Sequence, residues 1–320
     1  MQQRRSFDEP APPRTYRPLR QVVVYLCITY AITLAIALAL PHAGIAPLLA
    51  IAAPVIAVAL TTAFAVPRGQ RRAVWAAVGF HPRRGRGLLI AVLGPVAIIA
   101  VSFGVAAAFG VVRFPAPGPG FGFAILNVIV TTIIFSVVFL GEEIGWRGFL
   151  LFRLAELTSG RRAAVLTGAF HAIFHLPLLL LTTTYQSEGK RWIIVPMVMV
   201  TLTLAGVWYG WLRLWSGSIW PVSLSHSAFN NVGAGVAGAA IATSPAMMAY
   251  VTTETGVATM ITLVLVAGYL LTRRAAVLGS LVGRASLGSA LLKSAARRVN
   301  RYAATTTTMI MVTTPVSVVT

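Results

Sequence analysis

The stretch Phe139–Phe152, "FLGEEIGWRGFLLF", sits between apolar runs, yet it holds two adjacent carboxylates, Glu142 and Glu143, and the guanidinium of Arg147. Of the chain's 320 residues, 57% are hydrophobic and only 10% charged, with a mean hydropathy of +0.82. A soluble domain carries about 25% charged residues. Composition therefore points to an all-α polytopic membrane protein, and the quoted stretch reads as a helix that carries three charges to membrane depth. Such residues are costly there and are usually functional.

Eight apolar segments approach the ~20 residues that cross a bilayer core. They lie roughly at 21–41, 45–66, 88–110, 123–141, 163–184, 193–213, 218–241 and 254–272. Pro41, Pro67 and "FPAPGPGFG" mark breaks between them. The reading gives a cytoplasmic N-terminal tail over 1–20, a membrane domain over 21–272 and a basic, low-complexity cytoplasmic tail over 273–320. No cleavable signal peptide is expected, because the first 20 residues are polar and rich in Pro and Arg.

The net charge of +19 is explained by topology rather than by nucleic acid. Setting Arg147 aside, 22 basic residues fall in one set of loops and tails and 3 in the alternate set. By the positive-inside rule both termini are expected to be cytoplasmic, in agreement with an even number of spans. The single cysteine, Cys27, excludes an intrachain disulfide.

Few other polar groups reach membrane depth: His171, His175, His226, Asn230 and Asn231. At ~1.5 Å per residue, Glu142 lies about 16 Å, His175 about 18 Å and His226 about 12 Å from the cytoplasmic interface. Comparable depth on three helices predicts a shared polar pocket. Glu143 and Arg147 are four residues apart on one face and form a supporting ion pair, whereas Glu142 is turned ~100° away and left available. A carboxylate and an imidazole that hold water, with a His/Asn pair that stabilises an oxyanion, make a hydrolytic set. Glu142 and His175 are assigned the first role, His226 and Asn230 the second. His171 and Trp146 are candidate pocket residues, and Asn231 is a packing residue.

At these residues the sequence resembles the CPBP family of intramembrane glutamic endopeptidases, which includes the type II CAAX prenyl proteases and the bacterial Abi proteins. The EExxxR motif is matched by Glu142, Glu143 and Arg147; "FHAIFHLP" matches the second motif and ends in His175; "HSAFN" matches the third, His226 to Asn230. One departure stands in the second motif: the usual aromatic four residues before its histidine is replaced by His171, with Phe170 offset by one.

The resemblance extends over about 85–270. It implies an eight-helix bundle, water activated by Glu142 and His175, an oxyanion hole of His226 and Asn230, and no catalytic metal or other cofactor. The implied partners are a membrane-associated peptide or protein substrate and the lipid bilayer. The preponderance of Arg over Lys, 24 to 2, with abundant Ala and Gly, suggests the inner membrane of a high-GC bacterium.

Two readings from other classes compete: a proton-coupled transporter with a Glu/His relay, and a non-catalytic binding or bacteriocin self-immunity protein. Zinc ligation by Glu142, His171, His175 and His226 is weaker still, because there is no HExxH motif.

Overall fold

A computed structural model describes residues 18–81, 85–183, 190–248, 250–251 and 255–273. The chain is an all-α bundle. Its helices are α1 (Pro18–Ala39), α2 (Ala46–Ala50), α3 (Ala52–Ala65), α4 (Arg71–Ala77), α5 (Gly85–Ala108), α6 (Phe121–Val138), α7 (Leu140–Glu143), α8 (Leu151–Leu157), α9 (Gly160–Leu181), α10 (Arg191–Ser216), α11 (Trp220–Ala239), α12 (Pro245–Met248) and α13 (Val257–Arg273). A π-helical stretch, Ile144–Leu150, joins α7 to α8. Two-residue strands, Val112–Arg113 and Ile241–Ala242, pair antiparallel between helices.

Among the described residues, six helical runs are long and apolar enough to cross a membrane: Pro18–Ala39, Ala46–Ala65, Gly85–Ala108, Phe121–Leu157, Gly160–Leu181 and Arg191–Ser216. The protein is an integral membrane protein. The remaining two expected segments coincide with α11 and α13. Serines, His226, Asn230 and Asn231 make α11 less apolar than the other six, and α13 has only 17 residues. The count of eight thus rests on these two helices in addition to the six. The two expected tails lie almost wholly outside the described residues.

Local chemistry sets several boundaries. Ser159 caps α9 by accepting from the Arg162 N–H at 3.3 Å. Gly217 ends α10 in the left-handed region, φ 70°, and Pro221 opens α11. The α10–α11 turn is pinned to residues 77–81. Arg213 Nη2 donates to the Ala77 and Val78 carbonyls at 2.7 and 3.0 Å, Ile219 N to Gly79 O at 3.0 Å, Ser218 Oγ to His81 O at 2.9 Å, and Trp220 Nε1 to Phe80 O at 2.8 Å. The buried guanidinium of Arg213 so neutralises carbonyls at the C-terminal end of α4, where the helix dipole is negative.

Packing within a bilayer depends on close backbone approach rather than on expulsion of water. The α9–α10 seam is lined by Ala164 and Gly168 on one helix and Gly206 and Gly210 on the other. A Cβ on Gly168 would strike the Thr203 carbonyl, and one on Gly206 would strike the Gly168 Cα. Helices α3, α4, α9 and α10, with Tyr25 of α1, pack around the π-helical stretch, all of whose residues are buried. In contrast, α6 has one buried residue, Thr132, and is held to α11 by hydroxyls: Ser227 Oγ donates to Thr132 O at 2.7 Å and Ser223 Oγ to Ser136 O.

Candidate active site

The two carboxylates emerge where the winding changes. The carbonyl of Phe139, at the end of α6, accepts from both the Glu142 and Glu143 N–H groups, at 3.1 and 3.0 Å. Beyond Glu143 the backbone widens into the π-helical stretch, in place of the uninterrupted α-helix expected from sequence. Such π segments are rare and often occur at functional sites. Glycines let this stretch sit deep in the bundle. A Cβ on Gly141 would lie 2.7 Å from Ile51 O, and one on Gly145 would overlap Pro54 and the Tyr25 hydroxyl.

From there the neighbouring glutamates reach different helices. Glu142 Oε2 accepts from His171 Nε2 on α9 at 2.8 Å; Glu142 is 4% exposed and His171 1%. Because a carboxylate only accepts, this bond places the proton of a neutral His171 on Nε2. Its Nδ1 then faces Arg147 Nη1 at 3.4 Å. Glu143 Oε1 takes two partners: Arg147 Nη1 at 3.0 Å and His226 Nδ1, on α11, at 2.9 Å. Glu143 and Arg147 are wholly buried, so each charge has its counter-charge within the protein.

One direct contact differs from the pairing suggested by sequence. Glu142 was expected to work with His175, and His171 to line the pocket. His171 instead holds Glu142 directly. His175 lies one turn further along α9, half-buried, its ring centroid 5.1 Å from that of His171. Its Nδ1 donates to the His171 carbonyl at 3.0 Å, which leaves Nε2 as an acceptor. Depth counted along a helix places both histidines near the right level, but it does not show which one faces a carboxylate on another helix.

The other expected residues are placed as follows. His226 is 7% exposed and bonded to Glu143, while Asn230, one turn on, is half-buried and makes no hydrogen bond among the described residues. Asn231 Nδ2 donates to Ser227 O at 2.9 Å and Oγ at 3.1 Å, which ties it to its own helix. Trp146 is fully buried, its ring 5.2 Å from His171 and edge-on to Tyr25 and Phe174.

Three neighbours were not singled out from sequence. Tyr25, on α1, is buried beside Trp146 and Phe149. Phe139 and Tyr209 stack on His226 at 4.3 and 5.3 Å, and Arg147 lies 4.9 Å over the Tyr209 ring. Aromatic residues in apolar spans carry no periodic signal that separates pocket walls from core. Among the described residues, no group of three or more His, Cys, Asp or Glu side chains is arranged to hold a metal ion.

The site thus contains a carboxylate held by one imidazole, which links it to an adjoining Arg/Glu/His network, enclosed by helices of a membrane bundle. No curated protein matches the chain. Over residues 124–232, which span every site residue from Glu142 to Asn230, the chain matches the family described as type II CAAX prenyl endopeptidase Rce1-like.

Proposed function

We propose that the protein is a metal-independent intramembrane glutamic endopeptidase that cleaves a peptide bond of a membrane-associated peptide or protein. The family match supports protease activity of the CAAX type. The observation that carries the finer reading is the buried 2.8 Å pair of Glu142 and His171: Arg147 is neutralised by Glu143 and reaches the Glu142 carboxylate only through the His171 ring.

In this mechanism Glu142 is the general base. His171 holds Oε2 and orients the carboxylate. Glu142 takes a proton from water as the water oxygen attacks the peptide carbonyl carbon, and it returns that proton to the leaving nitrogen as the C–N bond breaks. His175, with Nδ1 engaged and Nε2 free to accept, holds the attacking water. His226 and Asn230 stabilise the oxyanion. With Nδ1 of His226 donated to Glu143, its Nε2 donates to an oxyanion only as the imidazolium, and Glu142 and Glu143 together balance the charges of Arg147 and that imidazolium.

Glu142→Gln removes the base while keeping the shape, so turnover of a farnesylated Cys-aliphatic-aliphatic-X peptide should fall about 10²–10⁴-fold with folding retained. Undiminished cleavage by Glu142→Gln sinks the mechanism. Activity should also survive strong chelation; its loss, with specific recovery on added zinc, would establish a metalloprotease instead.

A further inference from the structure

The imidazole of His226 is flanked by two rings from different elements. Phe139, at the α6–α7 junction, lies 4.3 Å away with planes 16° apart, and Tyr209, on α10, lies 5.3 Å away with planes 29° apart. All three side chains are buried: Phe139 8%, Tyr209 3% and His226 7% exposed. The 2.9 Å bond from Nδ1 to Glu143 fixes one edge of the same ring. A histidine that served only to satisfy Glu143 would need the hydrogen bond alone.

Phe139 also has a second connection to the site. Its carbonyl accepts from the N–H groups of both glutamates, so one residue sets the backbone of Glu142 and Glu143 and the plane of His226 together. Tyr209 has a matching double contact, since Arg147 lies over its ring while that ring stacks on His226.

We propose that Phe139 and Tyr209 are positioning residues that clamp the His226 imidazole in line with Glu143 and leave Nε2 as the nitrogen presented to the reacting carbonyl. The clamp rests on the proposed endopeptidase reading for its role in catalysis, but its geometry stands independently of it. Stacking restricts tilt, the Glu143 bond restricts rotation in the ring plane, and together they fix the direction of Nε2. Catalytic groups are sensitive to this, because displacements near 1 Å cost on the order of 10²-fold in rate.

Two measurements on the full-length protein in lipid nanodiscs test it. The first is NMR of isotopically labelled histidine rings, with His226 assigned by its loss in His226→Gln. Wild-type protein should show one set of His226 ring signals, displaced upfield by the flanking rings, with Nδ1 protonated towards Glu143 whether or not Nε2 also carries a proton. Several interconverting sets, or no upfield displacement, would overturn the clamp even if no substituted protein folds.

The second is kinetics with the farnesylated peptide. Phe139→Leu and Tyr209→Leu should each lower kcat about 10- to 100-fold, with KM held within about threefold. Phe139→Tyr, which keeps a ring, should recover most of that loss. Folded Leu variants with wild-type kcat would overturn the positioning role. Equal behaviour of wild type and Glu142→Gln towards the peptide, including no cleavage by either, would instead remove the protease reading, and the wild-type spectrum would still decide the clamp.

Discussion

The adjacent carboxylates differ in partner. Glu142 is held by a single imidazole, whereas Glu143 serves both a guanidinium and an imidazole. Their variants should therefore fail differently. Glu143→Gln strips the buried Arg147 of its counter-charge, and breaking such a pair costs about 3–5 kcal/mol. It should lower the thermal midpoint and the yield in detergent, and also slow turnover per folded molecule, because His226 loses the charge opposite its Nδ1. Replacing Glu143 and Arg147 together, by Gln and Met, should recover part of that midpoint because no lone charge stays buried. Should the double variant melt lower than Glu143→Gln alone, the pair is not the source of the loss. His171 can be weighed against His175 in the same assays. His171→Phe restores the aromatic usual in the related motif, but it deprives the Glu142 carboxylate of its hydrogen bond to the imidazole. It should lower kcat more than it lowers stability. A fully active His171→Phe would show that Glu142 does not depend on His171 for its orientation.

At the level of helices, the site depends on how closely backbones approach. Gly168 and Gly206 face each other across the α9–α10 seam, and α9 carries both His171 and His175. Gly168→Val should therefore force the helices apart. Overpacking of this kind costs about 1–3 kcal/mol, and displacement of α9 should draw His171 away from Glu142. Gly104, on α5, has open space where a Cβ would go, so Gly104→Ala should leave the melting midpoint unchanged or slightly raised. Equal midpoints for Gly168→Val and Gly104→Ala would show that the seam is not close-packed. The π-helical stretch belongs to this scale too. It follows directly on Glu143 and ends at Leu150, so the whole EExxxR motif lies at a local rewinding of an otherwise long helix.

The whole molecule is an all-α membrane bundle in which the candidate site lies among α7, the π-helical stretch, α9 and α11. Its orientation is a proposal from charge: 22 basic residues against 3 favour cytoplasmic termini. Reporter fusions after residues 20 and 275 should accordingly report the cytoplasm, and fusions near Gly118 and Glu188 the opposite side. With a cytoplasmic N-terminus, a cytoplasmic signal at Glu188 would require an even number of spans before it and would overturn the span count. The same fusions bear on α11 and α13. If these two helices also cross, the termini lie on one side; if only the six more apolar runs and one of them cross, the termini lie on opposite sides.

The amino-acid sequence alone determined the class of this protein. Low charge and long apolar runs leave a chain little choice but helices in a bilayer, because every backbone polar group there must be satisfied within its own segment. It also picked out Glu142, Glu143, Arg147, His171, His175, His226 and Asn230, since ionisable and amide side chains stand out in apolar surroundings. The four-residue spacing of Glu143 and Arg147 was enough to suggest their pairing, because both lie in one continuous helical run. Only the tertiary structure decided that His171, and not His175, meets Glu142, and that His226 is shared with Glu143 and stacked by Phe139 and Tyr209. Those contacts join residues 17 to 87 positions apart on separate elements. Which face each helix presents to the next is set by glycine seams, a change of helical winding and the pinned α10–α11 turn. Helical periodicity within one segment contains no information about the rotation of another.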